Sequence, residues 1–135
     1  MHNVYNSEAC IRLNKFDEAY SNCQETLKFT HQSKTNFNKL MEITCYYNMA
    51  IIRYKQNNLM ESIVHFQRFF ELAKSFCYNF LERSLYEKLF KENIFEIPKN
   101  ESQIETCLQN SLKIFSAIYG ENHSFVRNYV IKNSE

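Results

Sequence analysis

One glycine, one proline and no tryptophan occur among the 135 residues. Sandwiches and barrels need glycine and proline at many turns, and α/β folds use several glycines, so this scarcity excludes the turn-rich classes. Long helices joined by short polar loops remain. A single glycine also excludes a P-loop or a dinucleotide fingerprint, whose backbone N–H groups must crowd around an anion. Excess charge is lacking too: 16 basic residues against 15 acidic ones leave a net charge of +1, no electrostatic footprint for nucleic acid or an anionic membrane. No apolar run approaches the length of a spanning helix, and Met1 to Tyr5 carry no apolar stretch of the signal-peptide kind.

Catalytic and metal-binding spacings are missing as well. There is no C-x-x-C, H-x-x-x-H or H-E-x-x-H, and His2, His31, His65 and His123 are scattered. No arginine stands five residues before a histidine, as some helical ribonucleases require; Thr26, Met60 and Ile118 occupy those places. No serine sits in a nucleophile-elbow context. The expectation is a protein that is not an enzyme, with no catalytic residue, metal, cofactor or small-molecule substrate. Cys10, Cys23, Cys45, Cys77 and Cys107 are odd in number and far apart, which favours reduced thiols and a cytoplasmic setting over a disulfide framework. Cys23 reads as core, His65 as solvated or hydrogen-bonded on a helix flank, and His123 as a cap on the last helix. The abundant asparagine reads as base composition rather than physical demand.

Aromatic residues make up 16% of the chain, too many for intrinsic disorder, and the length suits one domain with a real core. Three apolar stripes recur: Phe16, Ala19, Cys23, Leu27; then Leu59, Ser62, Phe66, Phe70; then Ile104, Leu108, Leu112. Cys23 and Phe66 stand 43 residues apart, and Phe66 and Leu108 stand 42 apart. Steps of three and four within each stripe are those of one helix face. Asn14, Asn58 and Ser102 each precede an acid by three residues, the spacing of a capping box. Between these helices, Ile43, Tyr47, Ala50 and Tyr54 mark one partner helix, and Leu81, Leu85 and Leu89 another. The pattern predicts helices at about 3–13, 16–33, 36–55, 59–77, 79–91, 101–119 and 123–132. Residues 91–100 hold Pro98 and read as a loop; its Ile94, Phe95 and Ile97 either pack back on the hairpin or contact a partner. Phe66, Phe69, Phe70, Phe76 and Phe80 read as core, whereas Tyr47 and Tyr54 call for a polar partner or a wet edge.

The run from Tyr46 to Phe66 resembles a tetratricopeptide repeat. It has the large-small pair Met49-Ala50, the aromatic Tyr54, Leu59 opening the second helix, the small Ser62 and the aromatic Phe66. Asn14-Lys15-Phe16-Asp17-Glu18-Ala19 is similar to the family's turn and second-helix start. The long period, and the run from Leu112 to Val126, resemble the longer repeats of kinesin light chains, with Ser124 in place of that subfamily's proline. The resemblance implies an all-α fold of antiparallel hairpins, stacked as a short right-handed solenoid of about seven helices. It divides one domain, 1–135, into repeats of about 1–35, 36–77 and 78–120 with a capping helix at 121–135. It also implies a groove lined by Tyr47, Asn48, Ile51, Tyr54 and Lys55, with Arg83 on the next repeat, that binds a protein or peptide partner. A clamp for a peptide's terminal carboxylate is not expected, because Val4, Glu8, Tyr78 and Glu82 fill the other clamp positions. The role expected is an adaptor or scaffold. The alternative is a structural subunit of a cytoskeletal or ciliary assembly, using outer faces, the 91–100 loop and the apolar stretch from Phe125 to Ile131.

Overall fold

The computed structural model of the chain describes residues 15–120 and 123. Those residues form five α-helices: α1 (Phe16–Thr30), α2 (Asn36–Lys55), α3 (Leu59–Phe80), α4 (Arg83–Lys91) and α5 (Ile104–Tyr119), with a 3₁₀ turn at Glu101–Gln103 leading into α5. No strand occurs among the described residues, so the all-α class holds. The expected helices at 3–13 and 123–132 lie outside the described residues, as do Cys10 and the Asn14 cap.

Local chemistry explains where the helices start. The Thr35 hydroxyl accepts the Asn38 N–H at 3.1 Å and opens α2. Asn58 opens α3, its side-chain oxygen taking the Glu61 N–H at 3.3 Å while its amide donates to the Glu61 carboxylate. The capping box expected at Ser102 does not form. Ser102 donates to Asn100 instead, at 2.6 Å, and Glu105 is engaged by Tyr54.

Two helix ends show why the chain manages with one glycine. Asn57 and Asn93 have φ of 60° and 58°, the left-handed region that asparagine tolerates better than other side-chain-bearing residues. After α2, Asn57 donates to the Tyr54 carbonyl and Asn58 to that of Arg53; after α4, Asn93 donates to Phe90 and Ile94 to Leu89. Both are Schellman caps with asparagine at the usual glycine position, and the second adds the apolar contact of buried Ile94 with Leu89. These two asparagines therefore answer a physical demand, which corrects the reading from base composition. Gly120 ends α5 at φ 89°, where a side chain is disfavoured.

The α2–α3 hairpin is the centre of the fold. Its helices approach closely at Ala50 and Ser62, where the buried Ser62 hydroxyl donates to the Ala50 carbonyl at 2.8 Å. Around this contact Tyr47, Phe66, Phe69 and Phe70 are fully buried. α1 packs on the far side of α2 through Cys23, Leu27, Cys45 and Met49. α5 lies across the hairpin, with Phe115 edge-on to Tyr47 at 5.0 Å and tilted against Phe69 at 5.7 Å. Tyr54, at the end of α2, meets Glu105 at the start of α5, while Tyr47 meets Phe115 near the end of α5, so α5 runs antiparallel to α2. α4 and α5, the expected third hairpin, flank an open groove of about 680 Å³ floored by Leu85, Leu89 and Leu112. The 91–100 loop folds inward: Ile94 and Phe95 are buried, and Ile97 stays at the surface.

The Asn93 cap generates a test. Asn93→Gly should hold or raise stability in urea denaturation, whereas Asn93→Val should lower it by about 1–2 kcal/mol. Equal tolerance of both changes would show that the left-handed cap does not limit stability.

Candidate partner-binding surface

The residues expected to line a groove do not form an open one. Tyr47, Asn48 and Ile51 are sealed from solvent, at 0%, 0% and 1% exposure. Tyr47 is sealed because α5 occupies the space over that part of α2, with Phe115 packed against both Tyr47 and Phe69, which also touch each other. Tyr54 is partly covered and donates its phenol proton to Glu105 at 2.6 Å, a bond that holds the phenol above its usual pKa range. Lys55 is exposed. Arg83 is exposed too, stacked 5.4 Å from the Tyr78 ring, but it follows the far end of α3. A 22-residue helix is roughly 33 Å long, so Lys55 and Arg83 stand at opposite ends of the hairpin and share no site.

Asn48 therefore has no accessible amide with which to anchor a peptide. Neither its Oδ1 nor its Nδ2 has a hydrogen-bond partner in the protein, and the Tyr47 hydroxyl is likewise unpaired. Burial without a partner pushes the Tyr47 phenol pKa upward. An unsatisfied buried polar group costs about 1–3 kcal/mol. Tyr47→Phe, which removes only that hydroxyl, and the near-isosteric Asn48→Leu should therefore raise the midpoint of thermal unfolding. A fall of several degrees in either variant would show that these groups are satisfied and structurally required.

The outer face of the same hairpin carries a ladder of rings and cations that sequence reasoning missed. The Arg68 guanidinium lies 6.0 Å from the Tyr46 ring, Tyr46 6.4 Å from His65, and His65 5.8 Å from Tyr20. Tyr20 Oη and His65 Nε2 are hydrogen-bonded at 3.0 Å. Arg53 stacks on Tyr20 at 3.6 Å and donates to Gln56 at 2.7 Å. The ladder ties α1, α2 and α3 together. Its residues fall off the apolar stripes. Tyr46 and Arg53, and His65 and Arg68, stand at helical spacings, but their polar character marks a helix flank and does not say that the three helices meet there.

The ladder makes stability depend on pH. Burial lowers the His65 pKa below its ordinary 6.5, with Glu61 opposing that shift and Arg53 adding to it. The unfolded chain thus binds the proton first on acidification, so this contribution is complete above about pH 6.5 and is lost as the pH falls below it. The melting temperature of the parent should drop more steeply below that pH than that of His65→Gln. Parallel pH profiles would show that His65 titrates alike in both states.

The four described thiols are all buried. Cys45 is raised by its hydrogen bond with Cys23 and by burial, and burial pushes Cys77 and Cys107 up to about 12. Thiols held protonated in this way are poor nucleophiles and fill space. Among the described residues no group of three or more His, Cys, Asp or Glu is placed to hold a metal ion, and no helix is long and apolar enough to cross a membrane.

Besides the groove between α4 and α5, a cleft is open at the end of the hairpin where α2 begins and α3 ends. Antiparallel packing brings Lys39 and Ile43 of α2, with Lys34 just before it, against Arg68, Leu72, Phe76 and Phe80 of α3, around a cavity of about 220 Å³. Beyond it, aromatic rings are exposed beside cations: Phe80 under Lys39, Tyr78 under Arg83 and Phe90 under Lys74. No protein-family model, curated protein or solved structure matches the chain.

Proposed function

We propose that the chain is a non-catalytic protein-interaction module, an adaptor that binds through the surface formed by the last turns of α3 and by α4. One observation carries this reading: Tyr78, Phe80 and Phe90 stay 55%, 46% and 52% exposed, each beside a lysine or arginine. Aromatic and arginine side chains dominate the energetic centres of interfaces, because they offer large contact area with a polar edge. The tetratricopeptide resemblance supports the same role, as does the close small-residue contact of Ala50 with Ser62 that such a hairpin requires. Since Tyr47, Asn48 and Ile51 are buried, the binding face in this proposal is the outer surface rather than the groove.

A fixed subunit of a larger assembly is the second reading. Ile97, exposed on the loop beyond α4, is the observation that favours it; Ile94 and Phe95 of that loop face inward.

The test is affinity capture with quantification of the bound proteins. Phe80→Ser with Phe90→Ser should cut specific capture about tenfold or more while the helical circular dichroism signal persists. Undiminished capture by that variant, with loss on Ile97→Ser, would replace the module with the assembly subunit.

A further inference from the structure

The cleft between α2 and α3 has a chemistry of its own. Its floor is apolar: Ile43 and Phe76 are buried, Leu72 is partly covered, and Phe80 stands at the mouth. Its rim is cationic, with Lys34, Lys39 and Arg68. Glu42, the sole carboxylate among the lining residues, is 4% exposed, and its Oε1 is held by Lys34 Nζ at 2.8 Å. Its charge is thus neutralised inside the wall. Lys39 has no carboxylate partner among the described residues, and its ammonium lies 5.8 Å from the Phe80 ring centroid. Arg68 shares a 3.6 Å pair with Glu71, but both side chains are about half exposed, where such pairs contribute little.

The helix end adds to the same potential. α2 runs for 20 residues, and its first turn contains no acid, so the positive end of its dipole is left uncompensated beside Lys34 and Lys39. A floor for one apolar group, beside the Lys39 ammonium, the exposed Arg68 guanidinium and the start of α2, is complementary to an acidic chain with a single large apolar anchor. Size points the same way. Small-molecule sites typically enclose about 300–1,000 Å³, whereas 220 Å³ suits one inserted side chain. Nucleic acid is the weaker match, because its phosphates call for a run of cations and the floor here is apolar.

We infer that the cleft between α2 and α3 receives an acidic peptide segment. One Phe, Leu or Met of the peptide sits on Phe76 and Phe80, and its flanking carboxylates are held by Lys39 and Arg68. This rests on the reading of the chain as a protein-interaction module and names the chemistry of its partner.

The experiment uses the full chain and a fluorescent peptide library with a single Phe, Leu or Met between runs of Asp and Glu, read by anisotropy. Members of the library bind the parent protein. Replacing the acids by Lys, or the anchor by Ser, weakens binding at least about tenfold, and so does K39E combined with R68E in the protein. Raising the salt concentration weakens it further. Arg68 is exposed and Lys39 partly covered; R68E also removes the contact with Tyr46, so the retained fold is confirmed by a helical circular dichroism signal equal to that of the parent at the temperature of the binding assay. Three outcomes overturn the inference: no library member binds, binding is indifferent to K39E/R68E, or anionic vesicles or single-stranded oligonucleotides bind in a K39E/R68E-sensitive way while the peptides do not. Affinity capture by the same variant separates this failure from failure of the module reading. Partners still held by K39E/R68E leave the module standing and remove only the cleft.

Discussion

From Glu42 to Ile52, every residue of α2 except Tyr46 is buried, and Tyr46 is half covered. A helix with no free side cannot be stable alone; it must be enclosed, and the rest of the structure is arranged to enclose it. α3 approaches through Ala50 and Ser62, α1 through Cys45 and Met49, and α5 through Tyr47. The small residues matter most. They let two backbones come close enough for a side-chain hydroxyl of one helix to reach a carbonyl of the other, and the phenylalanines of α3 fill the volume on either side.

Enclosure forces polar groups inside, and most are satisfied locally. Thr26, Thr44 and Ser111 each return a hydroxyl hydrogen bond to the carbonyl four residues earlier, and Thr30 to that of Leu27. Glu42 is paired with Lys34. Asn48 and the Tyr47 hydroxyl have no such answer, and they lie on the face where the sequence places a groove. The residue types looked suited to a peptide because they are polar and aromatic on one helical face. The same face, once buried, turns them into a cost.

The helices were legible and their partners were not. α2 begins and ends where its stripe and its neighbours' turn residues place it, at Asn36 and Lys55, and Asn58 caps α3 as its spacing to Glu61 suggests. α3 runs on to Phe80, beyond the expected end at 77, and the Phe76 and Phe80 rings lie tilted against each other at 4.7 Å across its last turn. Periodicity says that a face is buried; it does not say against what. Nothing local to Tyr54 or Glu105, 51 residues apart, signals that they meet. That contact engages the acid that would have capped with Ser102, and together with Tyr47 against Phe115 it marks α5 as antiparallel to α2. The cleft was invisible for a related reason. Lys39 lies near the start of α2, Arg68 in the middle of α3 and Phe80 at its end, and they become neighbours only when the hairpin closes.

In the proposed role as an interaction module, the buried hairpin would be the frame, and the exposed rings and cations near the end of α3 and on α4 the surface. Local opening costs less where fewer apolar side chains are buried, so protection against exchange should follow enclosure. Amide hydrogen exchange, followed residue by residue, tests this directly. The account predicts that the amides from Thr44 to Ile52, and those of α3 around Phe66 and Phe70, exchange only through global unfolding, with α4 far faster. Fast exchange in the middle of α2, or equal protection in α4, would contradict it.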